Sequence, residues 1–134
     1  CTDCVRGDGL TPTEFLKAVR EEYPNIIIMA DCATFEEGVA AHAAGADLVG
    51  TTMNGYTPQT AGETGEPNFA LVARLAKTLP CPVIAEGRIH TPEQARKMLE
   101  IGAWAVVVGG AITRPLEIAS RFMAAVRDLP GGMV

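Results

Sequence analysis

Positive charge is scarce in this chain of 134 residues: 11 Lys and Arg stand against 16 Asp and Glu, for a formal net charge of −5. A basic face able to follow a phosphate backbone is therefore lacking, and nucleic acid is excluded as a partner. Lysine is scarcest of all, with only Lys17, Lys77 and Lys97. Long apolar runs are missing too. None nears the ~20 residues of a membrane-spanning helix, so no membrane partner is expected. No secretory leader is recognisable, and the first residue is Cys1 rather than Met. The expectation is a piece of a longer or processed chain, cytoplasmic in location. Cysteine is sparse: Cys1, Cys4, Cys32 and Cys81 are too few for a disulfide scaffold. Cys1-Thr2-Asp3-Cys4 is a C-x-x-C, yet no second pair completes it and no strand precedes it. Reduced thiols are expected, with neither a metal nor a cofactor.

What remains is an ordinary folding composition, 48% hydrophobic and 20% charged, at a length suited to one domain spanning residues 1–134. Four short β-branched runs stand out: Ile26–Ala30, Asp47–Gly50, Pro82–Ala85 and Ala105–Val108. Hydrophobic on both faces, they read as parallel strands buried on both sides. Trp104, entering the last of them, is expected in the core. Between the runs lie helical patterns. Thr11-Pro12-Thr13-Glu14, Thr34-Phe35-Glu36-Glu37 and Thr91-Pro92-Glu93-Gln94 have the form of capping boxes. The helices after Thr34 and Thr91 each stop at a Gly-Ala pair eleven residues on, Gly45-Ala46 and Gly102-Ala103. Further helices are expected at about 68–79 and 115–127.

Strict alternation of helix and strand forces parallel strands with right-handed crossovers. Four strands cannot close a barrel, which takes eight strands and ~250 residues. A small doubly wound sheet would normally begin with a strand, whereas this chain begins with a polar turn and a capped helix. The fold expected is α/β, the C-terminal half of a (β/α)8 barrel, with the first four strands lacking.

In such folds ligands bind beyond the carboxyl ends of the strands. Those ends carry Asp31, then Thr51-Thr52, then Glu86-Gly87-Arg88, then Gly109-Gly110 and the segment to Arg114. Gly109 and Gly110, ahead of a helix and with Gly87 in the neighbouring loop, have the form of a phosphate cradle. The loop 52–68 is long and turn-rich, as lids are, though a plain insertion has the same composition. Asp47 falls at the amino end of its strand, on the wrong side for chemistry. His42 lies mid-helix in a packing or surface role, and His90 precedes a cap. The three lysines fall inside helices, so a second base of lysine type must come from outside this chain.

Several segments now have a familiar form: Met29-Ala30-Asp31, Ala46 to Thr52, Gly55-Tyr56-Thr57, Val83-Ile84-Ala85-Glu86-Gly87-Arg88, and Gly102 to Val108-Gly109 through Ala111-Ile112-Thr113-Arg114-Pro115. Together, in order and over nearly the whole chain, they resemble the N-acetylmannosamine-6-phosphate 2-epimerase family, barrel enzymes of bacterial sialic acid catabolism. The resemblance implies interconversion of N-acetylmannosamine 6-phosphate and N-acetylglucosamine 6-phosphate by proton transfer at C2, with no cofactor. It implies that Glu86 is the catalytic glutamate, working opposite a lysine, with Asp31 and Arg114 lining the sugar beside it. Gly87, Arg88, Gly109, Gly110 and Thr51 become the substrate- and phosphate-binding set. The family's lysine and an early arginine belong to the first half of the barrel. Where the family reads Thr-x-Arg-x-Arg-Pro, Thr2 to Gly7 has Cys4 in place of one arginine. The chain alone is therefore expected to be inactive, and to associate as a homodimer or with the other half. The alternatives are a non-catalytic phosphosugar-binding or assembly module, or another phosphate-binding barrel enzyme.

Overall fold

The computed structural model of the protein describes residues 7–63 and 65–127; the Cys1/Cys4 pair and the Thr2–Arg6 segment lie outside them. The strands are β1 (Met29–Asp31), β2 (Leu48–Gly50), β3 (Val83–Glu86) and β4 (Ala105–Val107). The helices are α1 (Pro12–Glu22), α2 (Phe35–Ala43), α3 (Phe69–Thr78), α4 (Pro92–Glu100), α5 (Gly110–Thr113) and α6 (Pro115–Arg127). All strand pairs are parallel and lie side by side in chain order, β1-β2-β3-β4. A doubly wound sheet reverses its order at a switch point; this one does not. Successive helices pack on one another, α1 on α2, α2 on α3 and α3 on α4. The arrangement is that of one half of a (β/α)8 barrel.

Local chemistry explains the element ends. Thr11 and Thr91 form full capping boxes with Glu14 and Gln94. At Thr34 the box is half made: its hydroxyl accepts from the Glu37 amide, but the Glu37 carboxylate reaches past Thr34 to the Ala33 amide at 2.7 Å. Such caps are worth about 1 kcal/mol each. Gly45 and Gly102, both at φ 107°, end α2 and α4 as expected. The Ala46 amide donates to Ala41 O and the Ala103 amide to Met98 O, each at 3.0 Å, closing the same wide turn twice.

The strand register sorts side chains between two faces. Met29 pairs with Leu48, Asp31 with Gly50, Gly50 with Ile84, and Glu86 with Val107. Side chains alternate along a strand, so Ala30, Val49, Val83 and Ala85 share the other face. That face meets the helices in a core with Val72, Leu75 and Met98. Gly38 of α2 makes this fit possible: a Cβ there would come within 2.7 Å of Leu75 Cδ2.

Burial on both sides does not hold. Met29 and Val107, on the face away from the helices, are 41% and 40% exposed. Ile26 and Ile27 are not in a strand at all. Arg20 takes the Pro24 and Ile26 carbonyls, at 3.0 and 2.7 Å, and pins this segment as a loop against α1. Pairing with β2 begins only at the Ile28 carbonyl, which accepts from Asp47 and Leu48. Trp104 is likewise no core residue. Its amide joins the sheet at Val83 O, but β4 is an edge strand among the described residues, and the indole is 70% exposed. The short helix α5 ahead of α6 was not expected from sequence.

Asp47 and His42 are structural, as expected. Asp47 ion-pairs with Arg20 and accepts from the Ile28 amide at 2.8 Å, while His42 Nδ1 sits 3.1 Å from Ala46 O.

Candidate active site

The face away from the helices presents, at the carboxyl ends of the strands, Asp31 from β1, Thr52 just past β2 and Glu86 from β3. The register makes Gly50 level with Asp31 and Ile84, and carries Thr52 level with Glu86. Thr52 Oγ1 then lies 2.9 Å from Asp31 Oδ1 and 3.1 Å from Glu86 Oε2. One hydroxyl therefore spans two carboxyl groups. A Cβ at Gly50 would come 2.6 Å from Met29 Cε and 3.2 Å from Asp31 Oδ1, so its absence leaves room for the side chains beside it on this face.

Thr51 faces the other way. It is buried, and its hydroxyl donates to Glu86 O at 2.9 Å and accepts from the Glu86 amide at 3.1 Å. It fixes the backbone of Glu86 and is not among the residues lining the cleft.

Among its described residues the loop 52–68 has neither helix nor strand, yet the part before residue 64 is folded on itself. Thr57 and Thr60 are buried with their hydroxyls 2.9 Å apart, and Thr60 Oγ1 accepts from the Gly55 amide. Its anchor is Asn54, also buried. The Asn54 amide group donates to Ala33 O and to Glu63 Oε2, both at 2.9 Å, while Oδ1 accepts from Arg88 Nη2 at 2.6 Å. The loops after β1, β2 and β3 are thus joined through one side chain. Arg88 carries the only positive φ outside glycine among the described residues, at 56°, a conformation that strains an ordinary side chain. Its guanidinium lies against Gly55, where a Cβ would come 2.2 Å from Nη1. Nε and Nη1 are enclosed there without an acceptor.

Glu86, Gly87, Gly109, Gly110 and Arg114 line one cleft of about 490 Å³ with Thr52, Tyr56, His90 and Glu117, a size suited to a small metabolite. Arg114 pairs with Glu117 at 2.8 Å, and this hydrogen bond raises the guanidinium above its ordinary value. The cleft therefore offers a carboxylate at one wall, glycine backbone at another, and a cation at the mouth. Among the described residues no group of three metal-ligating side chains occurs. The three lysines lie on α1, α3 and α4, away from the cleft.

A sequence profile of the family described as "Putative N-acetylmannosamine-6-phosphate epimerase" matches residues 1–128. The chain belongs to this epimerase family. A relative from Caldanaerobacter subterraneus subsp. tengcongensis, named as a 2-epimerase of N-acetylmannosamine 6-phosphate, is 50% identical over 127 residues, covering 95% of this chain and 53% of its own. One of the same name from Listeria welshimeri is 47% identical over 123 residues, covering 91% and 52%. Among solved structures, the N-acetylmannosamine-6-phosphate 2-epimerase of Clostridium perfringens superposes with a TM-score of 0.79 at 42% identity, over 90% of this chain and 51% of that one. The chain spans about half the length of the epimerase relatives it matches.

Of the candidate residues, Glu86, Gly87, Arg88, Gly109, Gly110 and Arg114 meet at this cleft, and Asp31 reaches it through Thr52. Sequence reasoning placed Thr52 at the rim and Tyr56 in a family-like segment without giving either a role, and passed over Asn54 and Glu117. Strand alternation signals Thr52, since it shares a face with Gly50. Nothing local signals Asn54, whose partners come from three separate loops.

Proposed function

We propose that the chain is the C-terminal half of a sugar-phosphate 2-epimerase that interconverts N-acetylmannosamine 6-phosphate and N-acetylglucosamine 6-phosphate. The observation that carries this reading is the placement of the Glu86 carboxylate. It is fixed by Thr51 at the backbone and Thr52 at the side chain, in a cleft that also holds Gly109, Gly110 and Arg114. Epimerisation at C2 needs a base positioned over the acidic C–H and a proton returned to the opposite face. Glu86 serves as one acid/base group. Gly87, Gly109 and Gly110 receive the phosphate through backbone N–H groups, and Arg114 adds charge at the mouth. The second acid/base group, of lysine type, comes from the other half of the barrel, as do the first four strands. Loss of one such partner costs ~10²–10⁴ in rate, roughly 3–5 kcal/mol, so the chain alone binds without appreciable turnover.

The sheet face bearing Met29 and Val107, and the exposed Leu116 and Phe122 of α6, fit association with that half or with a second copy. A phosphorylated, membrane-impermeant substrate fits a cytoplasmic setting. Isothermal titration tests the reading: both N-acetylhexosamine 6-phosphates bind, and unphosphorylated N-acetylmannosamine binds at least tenfold more weakly. Equal affinity with and without the phosphate sinks it. Rapid epimerisation by the pure chain, abolished by Glu86→Gln, would overturn the dependence on the other half.

A further inference from the structure

After β4 the chain turns back on itself once. The Thr113 amide donates to Gly109 O and the Arg114 amide to Gly110 O, both at 3.2 Å, which returns the Arg114 side chain toward Gly110. Helix α6 begins at Pro115, and Glu117 in its first turn stands three residues on from Arg114, within side-chain reach. Arg114 Nη1 donates to Glu117 Oε1 at 2.8 Å. The pair folds over the glycine: a Cβ at Gly110 would come 3.1 Å from both Arg114 Cδ and Glu117 Oε2, and 3.3 Å from Arg114 Nε. Exposed ion pairs add little stability, so stability does not account for where this one lies. Both of its members line the cleft, and among the residues that line it only Glu86 and Glu117 carry carboxylates.

We propose that Glu117 is an internal occupant of the phosphate seat: its carboxylate holds Arg114 beside Gly110 until a substrate phosphate takes its place. The proposal rests on the reading of Gly109, Gly110 and Arg114 as the group that receives the phosphate. There, an anion belonging to the chain already stands against the glycine and on the cation. Binding is then an exchange. The Arg114–Glu117 hydrogen bond breaks and Arg114 turns to the phosphate, whose near-double charge and three acceptor oxygens exceed what one carboxylate offers. Glu117 swings out to water, which its half-exposed side chain already reaches. The exchange lowers phosphate affinity without touching C2. Contacts to the phosphate are alike for both epimers, and binding that is uniform along a reaction deepens the bound states without speeding the chemistry. Glu117 holds that uniform attraction down, so that either epimer can leave.

Amide NMR titration of the full 134-residue chain with inorganic phosphate, read at Gly109 and Gly110, tests the exchange with no sugar present. Glu117→Gln removes the charge and keeps the shape. It is expected to bind phosphate roughly fivefold more tightly than the parent, the scale of one exposed ion pair, and Glu117→Ala is expected to move the same way. Calorimetry with the two N-acetylhexosamine 6-phosphates is expected to show the same gain for both, and none for unphosphorylated N-acetylmannosamine. A residue that merely props Arg114 would do the reverse, so phosphate affinity that falls or stays level in both variants overturns the proposal. An equal gain in Glu21→Gln, which removes the same charge from α1 and away from the cleft, overturns it as well. Silence toward inorganic phosphate in every variant does so too, since no seat then exists to occupy. Sugar phosphates that bind the parent with no gain in Glu117→Gln keep the epimerase reading and sink the exchange. A gain for inorganic phosphate with neither sugar phosphate bound keeps the exchange and sinks the epimerase reading.

Discussion

The Thr51 hydroxyl grips both backbone groups of Glu86, donating to its carbonyl and accepting from its amide across adjacent strands. Replacing it with a β-branched residue of the same shape isolates the chemistry from the packing. Thr51→Val leaves two backbone groups of Glu86 without this partner in a buried setting, which costs about 1–3 kcal/mol. Urea denaturation checks the loss, and Thr51→Ser is expected to recover most of it.

Arg88→Met removes the guanidinium that reaches Asn54 over Gly55. The loop 52–63 then loses its tie to the loop after β3 but keeps the Asn54–Ala33 and Asn54–Glu63 bonds. Hydrogen exchange of the Gly55 and Thr60 amides is expected to speed up several-fold, while Val49 and Leu75 amides keep their protection. Unchanged exchange in the loop would show that Arg88 does not hold it.

The Asp47 carboxyl is held below its usual value, first by the Ile28 amide and then by Arg20. A carboxylate depressed on folding adds stability at pH above its unfolded value of about 3.9, and that stability is lost as pH falls through the lower folded value. Asp47→Asn is therefore expected to be less stable than the parent at pH 7. The gap closes as the pH is lowered past the depressed folded value. Urea midpoints measured from pH 7 down to pH 2 check both ends.

At the centre of the core, Leu75 is fully buried against Gly38 and Val49. Leu75→Ala is expected to cost about 2–5 kcal/mol through lost transfer energy and a cavity. Gly38→Ala pushes a methyl group into Leu75 Cδ2 and costs about 1–3 kcal/mol by overpacking. Combining the two relieves the crowding, so the double variant is expected to lose less than the sum of the singles. Thermal or urea unfolding of the four proteins completes the cycle.

Much of this structure was legible because the signals are local. The caps at Thr11 and Thr91, the Gly45 and Gly102 stops, and the alternation of strands and helices each depend on a few neighbouring residues. The collection of Asp31, Glu86, Gly109 and Arg114 at one rim followed from topology. What could not be read depends on distant partners. Ile26 and Ile27 have strand propensity, but Arg20 takes the carbonyls that would have paired. Trp104 occupies a strand entrance, yet its exposure is set by what lies beyond β4. Thr51 and Thr52 are one residue apart and chemically alike. Alternation separates the two, and the register against β3 then tells which grips the backbone and which faces the carboxyl groups. Arg88 follows Glu86 and Gly87 at the rim and lines the cleft, but its bond to Asn54, which comes from another loop, has no local signal.

The chain-order arrangement of the strands has a consequence for how such a site can change. Each strand pairs with the strands nearest it in sequence, so each rim loop is closed by its own two strands and crosses no other. Among the described residues the span from Val49 to Val83 is the longest that sheet pairing must close, and it contains the folded 52–63 segment. The entropy of closure rises only logarithmically with loop length. A loop at this rim can therefore be lengthened or rewritten at small thermodynamic cost, without rerouting the sheet that fixes the carboxyl groups below it.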